Sequence, residues 1–146
     1  MWKYPVNIRE QVRLAYISLG VYQIKLEEYK PRGPKNNRRR FKYAWFDMFP
    51  DWLEYSPTKH KAYCFLCYLY NDKPNESHGH GAFTSEGFDN WKKVNDGDKC
   101  PLLKHSKSSN HKNAFLFYKN LLNQKAHLEN FLIEESKNLK GRRSEL

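Results

Sequence analysis

Apolar residues recur at helical spacing near the start of the chain, from Ile8 to Leu19. Asn7 stands before this run as an N-cap, and Gly20 follows it as a stop signal. The pattern therefore predicts a short amphipathic helix over 8–19.

Aromatic residues dominate the next patterned stretch. In order, it predicts one or two helical turns over 43–49 ended by Pro50, a strand over 52–56, a turn over 56–59 and a return strand over 61–64. We expect the aromatic side chains Trp45, Phe46, Phe49 and Trp52 to form a core that packs over a metal site, in preference to stacking on bases.

After the hairpin, the sequence predicts a polar loop over 71–82 and then helical segments. The first is a short helix over 86–93, which Thr84 or Ser85 caps and which buries Phe88 and Trp91. A helical turn or two over 99–106 and a long amphipathic helix from about 111 to 139 follow it. The apolar surface over 114–133 is wide enough to bind a partner or a second copy of the chain, although ordinary core packing also accounts for it. From Gly141 onward we expect a frayed tail.

Two cysteines and two histidines at the ends of these elements have the chemistry of a structural zinc site. Cys64 and Cys67 are separated by two residues, and His105 and His111 can complete a tetrahedron. Four protein ligands leave no open position for water or substrate, so the metal is expected to hold the fold. The 37 residues between Cys67 and His105 exceed the about 12 to 15 of a compact finger, which indicates a long insertion.

The two histidines cannot share one continuous helical face. A separation of six residues places His105 and His111 about 240° apart around a helix. We therefore predict a helix break over 106–110, with Ser109 or Asn110 capping the helix that follows.

Other ligand sets stay open at this point. A site of Cys64, Cys67, Cys100 and His105 is also chemically sound. A redox dithiol at Cys64 and Cys67 is disfavoured, because the flanking sequence is an aromatic hairpin and not a βαβ unit. The histidines at 78 and 80 are interpreted as solvated loop residues.

The net positive charge of the chain indicates a polyanionic partner. The 146 residues carry a formal net charge of +10, which favours a polyanion. Residues 30–42 are rich in lysine, arginine, proline and glycine and predict a mobile cationic linker; an import signal is the alternative. The residues expected to contact DNA are Arg38, Arg39, Arg40, Lys42, Lys92, Lys93, Lys104, Lys107 and Lys112. Arg9 and Arg13 share a helical face that meets phosphates or solvent.

Cysteine number and hydropathy bear on the compartment. Three cysteines, an odd number, without an apolar leader argue against a disulfide framework. No apolar run reaches the length of a bilayer span. A basic zinc module of this kind is expected in the nucleus, with no membrane and no small-molecule substrate as partner.

A series of residues across most of the chain resembles a known family. They are Arg39-Arg40-Phe41, Trp45-Phe46, Trp52-Leu53-Glu54-Tyr55-Ser56, Ala62-Tyr63-Cys64, Cys67-Tyr68-Leu69, Gly87-Phe88, Asn90-Trp91-Lys92, Leu103, His105, Ser108, His111 and Ala114. The series resembles the TTF-type zinc finger that begins many hAT-superfamily transposase-like proteins, among them the plant zinc finger MYM-type protein 1-like group. The resemblance implies zinc on Cys64, Cys67, His105 and His111, and DNA binding at transposon ends or host sites.

The expected architecture is α+β: a small zinc-stapled β-hairpin with helices, similar to a two-Cys two-His or BED finger with a long insertion. We predict an N-terminal helical lead-in over 1–29, the basic linker over 30–42, the zinc-finger domain over 43–125 and a helical extension over 126–146.

The expected function is a zinc-dependent DNA-binding module derived from a hAT-type transposase. The chain has no room for the family's catalytic body, so we do not expect strand transfer. The closed metal site and the lack of a convincing nucleophile and base constellation predict no enzymatic activity. A zinc-stabilised module for protein interaction or dimerisation is the alternative, and cationic charge alone does not separate DNA from RNA.

Overall fold

The structure is a computed structural model that describes residues 3–70 and 81–145. It is a mixed α+β arrangement, as predicted, with one antiparallel hairpin and a long C-terminal helix. Its elements are α1 (Arg9–Leu19), α2 (Trp45–Met48), β1 (Leu53–Ser56), β2 (Lys61–Cys64), α3 (Phe65–Leu69), α4 (Pro101–Lys107) and α5 (Ser109–Glu145). The chain divides into two compact units, the first ending at Ala114 and the second beginning at Phe115.

Helix α1 confirms the predicted N-terminal helix, with two corrections. The cap position is Ile8, after a 3₁₀ turn, and no side chain caps the helix there, so the prediction of Asn7 as the cap was wrong. The buried residue is Arg13, whose Nε donates to the Leu69 carbonyl oxygen at 2.8 Å, whereas Leu19 is exposed. Arg13 is therefore a packed structural residue, and the interpretation of its face as solvated or phosphate-binding was wrong.

The predicted hairpin is confirmed at both strands. Leu53 pairs with Cys64 and Ser56 with Lys61, so β2 ends at the first cysteine. The turn closes with the His60 amide donating to the Ser56 carbonyl oxygen at 2.7 Å. Alternate residues of each strand are buried, which is the expected pattern of a hairpin with one face on a core.

The core is built from aromatic rings, as predicted. Trp45, Phe46, Phe49 and Trp52 are all buried. Phe41 lies at the centre of the cluster, with the rings of Tyr29, Trp45, Phe46, Tyr55 and Trp91 at centroid distances of 4.9 to 5.4 Å. Each such pair contributes roughly 0.5–1.5 kcal/mol beyond the burial of its area. The rings thus supply much of the core, together with the fully buried leucines Leu53, Leu66, Leu69 and Leu102.

The basic segment over 30–42 differs from the predicted mobile linker. Arg32 and Arg39 exchange two backbone hydrogen bonds of 2.8 Å, which close the segment into a loop. The side chain of Arg40 pairs with Glu28. The loop is anchored because the next residue, Phe41, is the centre of the aromatic core.

The predicted helix over 86–93 is wrong. Phe88 is extended and exchanges backbone hydrogen bonds of 2.8 and 2.9 Å with Ala62 on the edge of the hairpin. Gly87 has φ +83°, and a Cβ there would lie 2.8 Å from the Tyr63 ring, so only glycine fits between strand and loop. Tertiary pairing overrides the helical spacing, and Trp91 begins a 3₁₀ turn instead.

The two C-terminal helices meet at the predicted break. Pro101 begins α4, Ser108 is extended between the helices, and α5 starts at Ser109. Helix α5 continues to Glu145, so the prediction of a helix end near 139 and a frayed tail from Gly141 was wrong. Within the described residues, none of the helices combines the length and apolarity that a membrane crossing requires.

Candidate metal centre

Four side chains that are far apart in sequence converge on one point. The ligand atoms of Cys64, Cys67, His105 and His111 all lie within 4.8 Å of one another. Cys64 Sγ is 3.4 Å from His111 Nδ1, and Cys67 Sγ is 3.4 Å from His105 Nε2 and 3.7 Å from His111 Nδ1. Two thiols and two imidazoles at these separations could hold a metal ion.

The cysteine pair is placed by local backbone hydrogen bonds. Cys64 ends β2 and is the cap residue of α3, where its Sγ accepts from the Cys67 amide at 3.4 Å. The Phe65 amide donates to the Trp52 carbonyl oxygen at 2.8 Å, which ties the turn to the start of the hairpin. The sulfur atoms therefore point to the same side of a tight turn.

The histidine pair is placed by the helix break. His105 lies near the end of α4 and His111 in the first turn of α5. Between them, the Ser108 hydroxyl donates to the His105 carbonyl oxygen at 2.8 Å and accepts from the His111 amide at 3.3 Å. Ser108, and not the predicted Ser109 or Asn110, thus fixes the angle that brings both imidazoles together.

Aromatic rings enclose the two imidazoles. The Trp52 ring lies 5.0 Å from the His105 ring and 5.2 Å from the His111 ring. The Phe83 ring also packs on His105, with 4.5 Å between the ring centroids. Both histidines are buried, as is Cys64, while Cys67 is partly exposed. Burial keeps competing water from most of the site.

The thiols have opposite electrostatic environments. Burial raises the pKa of Cys64 well above its ordinary value. Hydrogen bonding from the Cys64 thiol, with help from His105 and His111, lowers the pKa of Cys67 to about 3. The pair thus favours one thiolate and one retained proton, and a divalent cation at the site would displace that proton.

The structure separates the two ligand sets that the sequence left open. Cys100 is buried at the start of α4, but it is not part of the cluster, which contains His111 in its place. The histidines at 78 and 80 lie outside the described residues.

All nine residues predicted to contact DNA are exposed, namely Arg38, Arg39, Arg40, Lys42, Lys92, Lys93, Lys104, Lys107 and Lys112. The first four line one cleft of about 230 Å³ together with Trp45, Trp91 and Asn95. Lys92 and Lys93 belong to the 3₁₀ turn that Trp91 begins, and the last three lie on α4 and α5 beside the histidine ligands in sequence.

Sequence reasoning missed two residues that position the histidines. Phe83 directly follows the predicted polar loop over 71–82, and no core position was predicted for it, although the structure buries it. Ser108 was included in the break but not recognised as its cap. A serine just before the predicted helix was the available signal, because a serine hydroxyl at this position accepts from a backbone amide of the first turn.

Residues 81–145 match a family model, DUF4371, described as ZMYM1/FAM200, RNase-like domain. The match contains both histidines and all of α4 and α5, whereas both cysteines precede it. No curated protein and no solved structure matches the chain. Through residues 81–145 the chain is therefore linked to the transposase-derived, hAT/ZMYM-like family.

Proposed function

We propose that the chain is a zinc-dependent, DNA-binding module of the TTF type that acts on duplex DNA in the nucleus. The observation that carries the proposal is the cationic cleft formed by Arg38, Arg39, Arg40 and Lys42 on a core joined to a Cys2His2 cluster. The metal has a structural role, and we propose no catalytic activity for the chain.

Zinc fits the donor set best. Two thiolates and two imidazoles are the preferred ligands of structural zinc, with bonds of about 2.3 Å to sulfur and 2.0–2.1 Å to nitrogen. In a regular tetrahedron those bonds set sulfur–nitrogen distances of about 3.5 Å. The three measured distances, 3.4, 3.4 and 3.7 Å, agree with that value. Four protein ligands also fill the tetrahedron, which supports a structural metal.

The cleft has the features of a phosphate-binding surface. Its four cationic residues follow one another in a loop that Phe41 anchors to the core, so their backbone is held in place. Arginine and lysine that neutralise phosphates release counterions, which gives affinity that falls with salt. Such contacts position a protein on the duplex without reading its sequence.

The test is fluorescence anisotropy of a labelled duplex at several salt concentrations. The variant R38A/R39A/K42A removes three phosphate contacts and leaves Arg40 in its ion pair with Glu28. We expect the slope of log affinity against log salt to become shallower by about 2.7, since each contact contributes about 0.9. An unchanged slope together with an unchanged affinity would contradict the proposal.

A matched control removes the same charge from α5. The variant K119A/K137A/K140A changes three exposed lysines of that helix, and we expect it to keep most of the affinity. Parallel titration with duplex RNA separates the two nucleic acids, because the groove shape of RNA differs from that of DNA. Stronger binding to RNA would transfer the proposal to RNA.

A protein-interaction function is the second candidate, favoured by exposed apolar residues on α5. These residues are each between 54% and 59% exposed: Leu116, Phe117, Leu128, Phe131, Leu132 and Ile133. A surface of this kind commonly marks an interaction site. Sedimentation velocity over a range of concentrations tests whether this surface joins two copies of the chain. Self-association that L128K/F131K abolishes would support this function. A monomer at every concentration would contradict dimerisation through this surface.

A further inference from the structure

The outer face of the hairpin forms the floor of a second cleft, distinct from the cationic one. Glu54 of β1 and Tyr63 of β2 are directly opposite each other across the strands and belong to the face turned away from the aromatic core. Such a face is normally open to solvent. Here it lines a cavity of about 510 Å³, within the range of small-molecule sites.

Tyrosine side chains surround the carboxylate in this cavity. Tyr16 of α1 and Tyr68 of α3 contact each other edge to face, at a centroid distance of 5.8 Å, and both line the wall. Tyr22 lines it from the segment after α1 and is 51% exposed. We call this site the tyrosine cavity, with Glu54, Tyr63, Tyr16, Tyr68 and Tyr22 as its defining residues.

The carboxylate of Glu54 is fixed but not saturated. The Tyr22 amide donates to Oε2 at 2.8 Å, which orients the group. Oε1 accepts no hydrogen bond from the residues that the structure describes. Burial raises the pKa of Glu54 to about 7, because the ionised form lacks sufficient partners. A ligand N–H at Oε1 would supply one.

Two lysines decide the charge of the ligand. Lys3 and Lys59 both line the tyrosine cavity, and Lys59 Nζ lies 6.0 Å from the centre of the Tyr63 ring. An ammonium group is therefore already placed beside one of the rings that would otherwise bind a cation. The site favours a ligand with a planar ring, N–H donors and an anionic group.

We propose that the tyrosine cavity binds a nucleotide with an unpaired base, whose ring packs on tyrosine, whose N–H groups donate to Glu54 and whose phosphate meets Lys3 and Lys59. Stacking on aromatic side chains is the common way to hold an unstacked base. Guanine is the preferred base, because its ring N–H and its amino group lie side by side and match one carboxylate. The inference rests on the proposed function only for the source of the nucleotide, a free mononucleotide or an unpaired position in a strand.

The first test is titration of the zinc-loaded chain with 5′-GMP by calorimetry. We expect saturable binding with a Kd on the order of 1 mM or tighter, and weaker binding of UMP. E54Q and Y22A should each weaken GMP binding roughly tenfold or more. Y43A removes another exposed tyrosine outside the tyrosine cavity and should leave GMP binding unchanged.

Two further arms separate the sources and the functions. A dT oligonucleotide with one central dG should bind more tightly than GMP if a strand is the source, and equally or less tightly if a free nucleotide is. R38A/R39A/K42A should lose duplex binding and keep GMP binding, whereas E54Q should do the reverse. Absence of GMP binding in a chain that still binds duplex overturns this inference and leaves the proposed function standing. Saturation by tetramethylammonium, with none by GMP, overturns it in favour of a cation site.

Discussion

The two halves of the metal centre are built on different principles. Cys64 and Cys67 are held by hydrogen bonds between residues close in sequence, at the end of a two-stranded hairpin. His105 and His111 are held by packing against the distant Trp52 and by one serine at a helix break. The cysteine half is thus a local structure, whereas the histidine half depends on the fold around it.

This difference determines how much a bound metal ion contributes to the stability of the fold. A short hairpin is marginal alone, and the imidazoles of the histidine helices contact the Trp52 ring at its start. A bound ion would join both halves, so its binding free energy becomes folding free energy. Breaking one half should therefore damage the other, in proportion to how much each depends on the metal.

The largest expected effect comes from removing a sulfur ligand. Cys64→Ser should lose the metal and unfold the first unit, because structural zinc contributes about 10–16 kcal/mol, as much as or more than a typical domain's net stability. Near-UV circular dichroism and metal content report both losses. Cys100→Ala, the matched control, should keep one metal ion per chain and its fold; loss of the metal in this control, with retention in C64S, would contradict the account.

Trp52→Ala should have the next largest effect. The ring is buried and contacts both imidazoles, so its removal costs about 3–5 kcal/mol and also loosens the histidine half. Trp45→Ala is the control, since that ring is equally buried but contacts Phe41 and Trp91. Chemical denaturation of the zinc-loaded proteins should show a loss for both variants, and the loss should be larger for Trp52→Ala. Only Trp52→Ala should weaken zinc affinity in a chelator competition, and equal affinities would contradict the role of Trp52.

Glu54→Gln should change how the stability of the hairpin that carries Cys64 depends on pH. The pKa of Glu54 rises from 4.5 to about 7 on folding, because the carboxyl group is buried. Below pH 4.5 it is protonated in both states. As pH rises toward 7 the unfolded state loses this proton first, so the wild type loses stability, by up to about 3 kcal/mol above pH 7.

The variant does not carry that loss. The free energy of unfolding of E54Q minus that of wild type should rise from near zero at pH 4.5 to its full value at pH 8. Any acid lability of the metal site is common to both proteins and cancels in the difference. A difference that does not change with pH would show that Glu54 does not titrate in this way.

Ser108→Ala should have the smallest effect, confined to the histidine half. It removes the cap of α5 and the bond to the His105 carbonyl oxygen, which costs about 1–2 kcal/mol. Thermal melts should show the loss, while Ser109→Ala, a change at the neighbouring exposed position, should melt like wild type. The reverse ranking would place the cap where the sequence pattern first suggested it.

The same contrast explains how much could be predicted from the sequence. The hairpin, its turn and the position of both cysteines follow from neighbouring residues, and the helix break follows from the i, i+6 geometry of the histidines. What could not be predicted depends on distant contacts. Phe88 joins the hairpin edge although its own segment has helical spacing, and Arg13 is buried because the Leu69 carbonyl oxygen lies beside it.

The long helix α5 shows that apolar periodicity predicts a helix but not the contacts of its apolar side chains. Its apolar positions predicted a continuous helix, and the structure extends that helix to Glu145. The pattern did not indicate what the apolar side chains contact, and Phe131, Leu132 and Ile133 are each 54% exposed. Periodicity therefore predicts that a helix forms, whereas the surface it packs against depends on other parts of the fold or on a partner.

X-ray absorption spectroscopy of the purified chain tests the central claim most directly. The account predicts one zinc ion per chain with two sulfur ligands at about 2.3 Å and two nitrogen ligands at about 2.0–2.1 Å. Three sulfur ligands, which would bring Cys100 into the site, or an oxygen ligand in place of an imidazole, would contradict it.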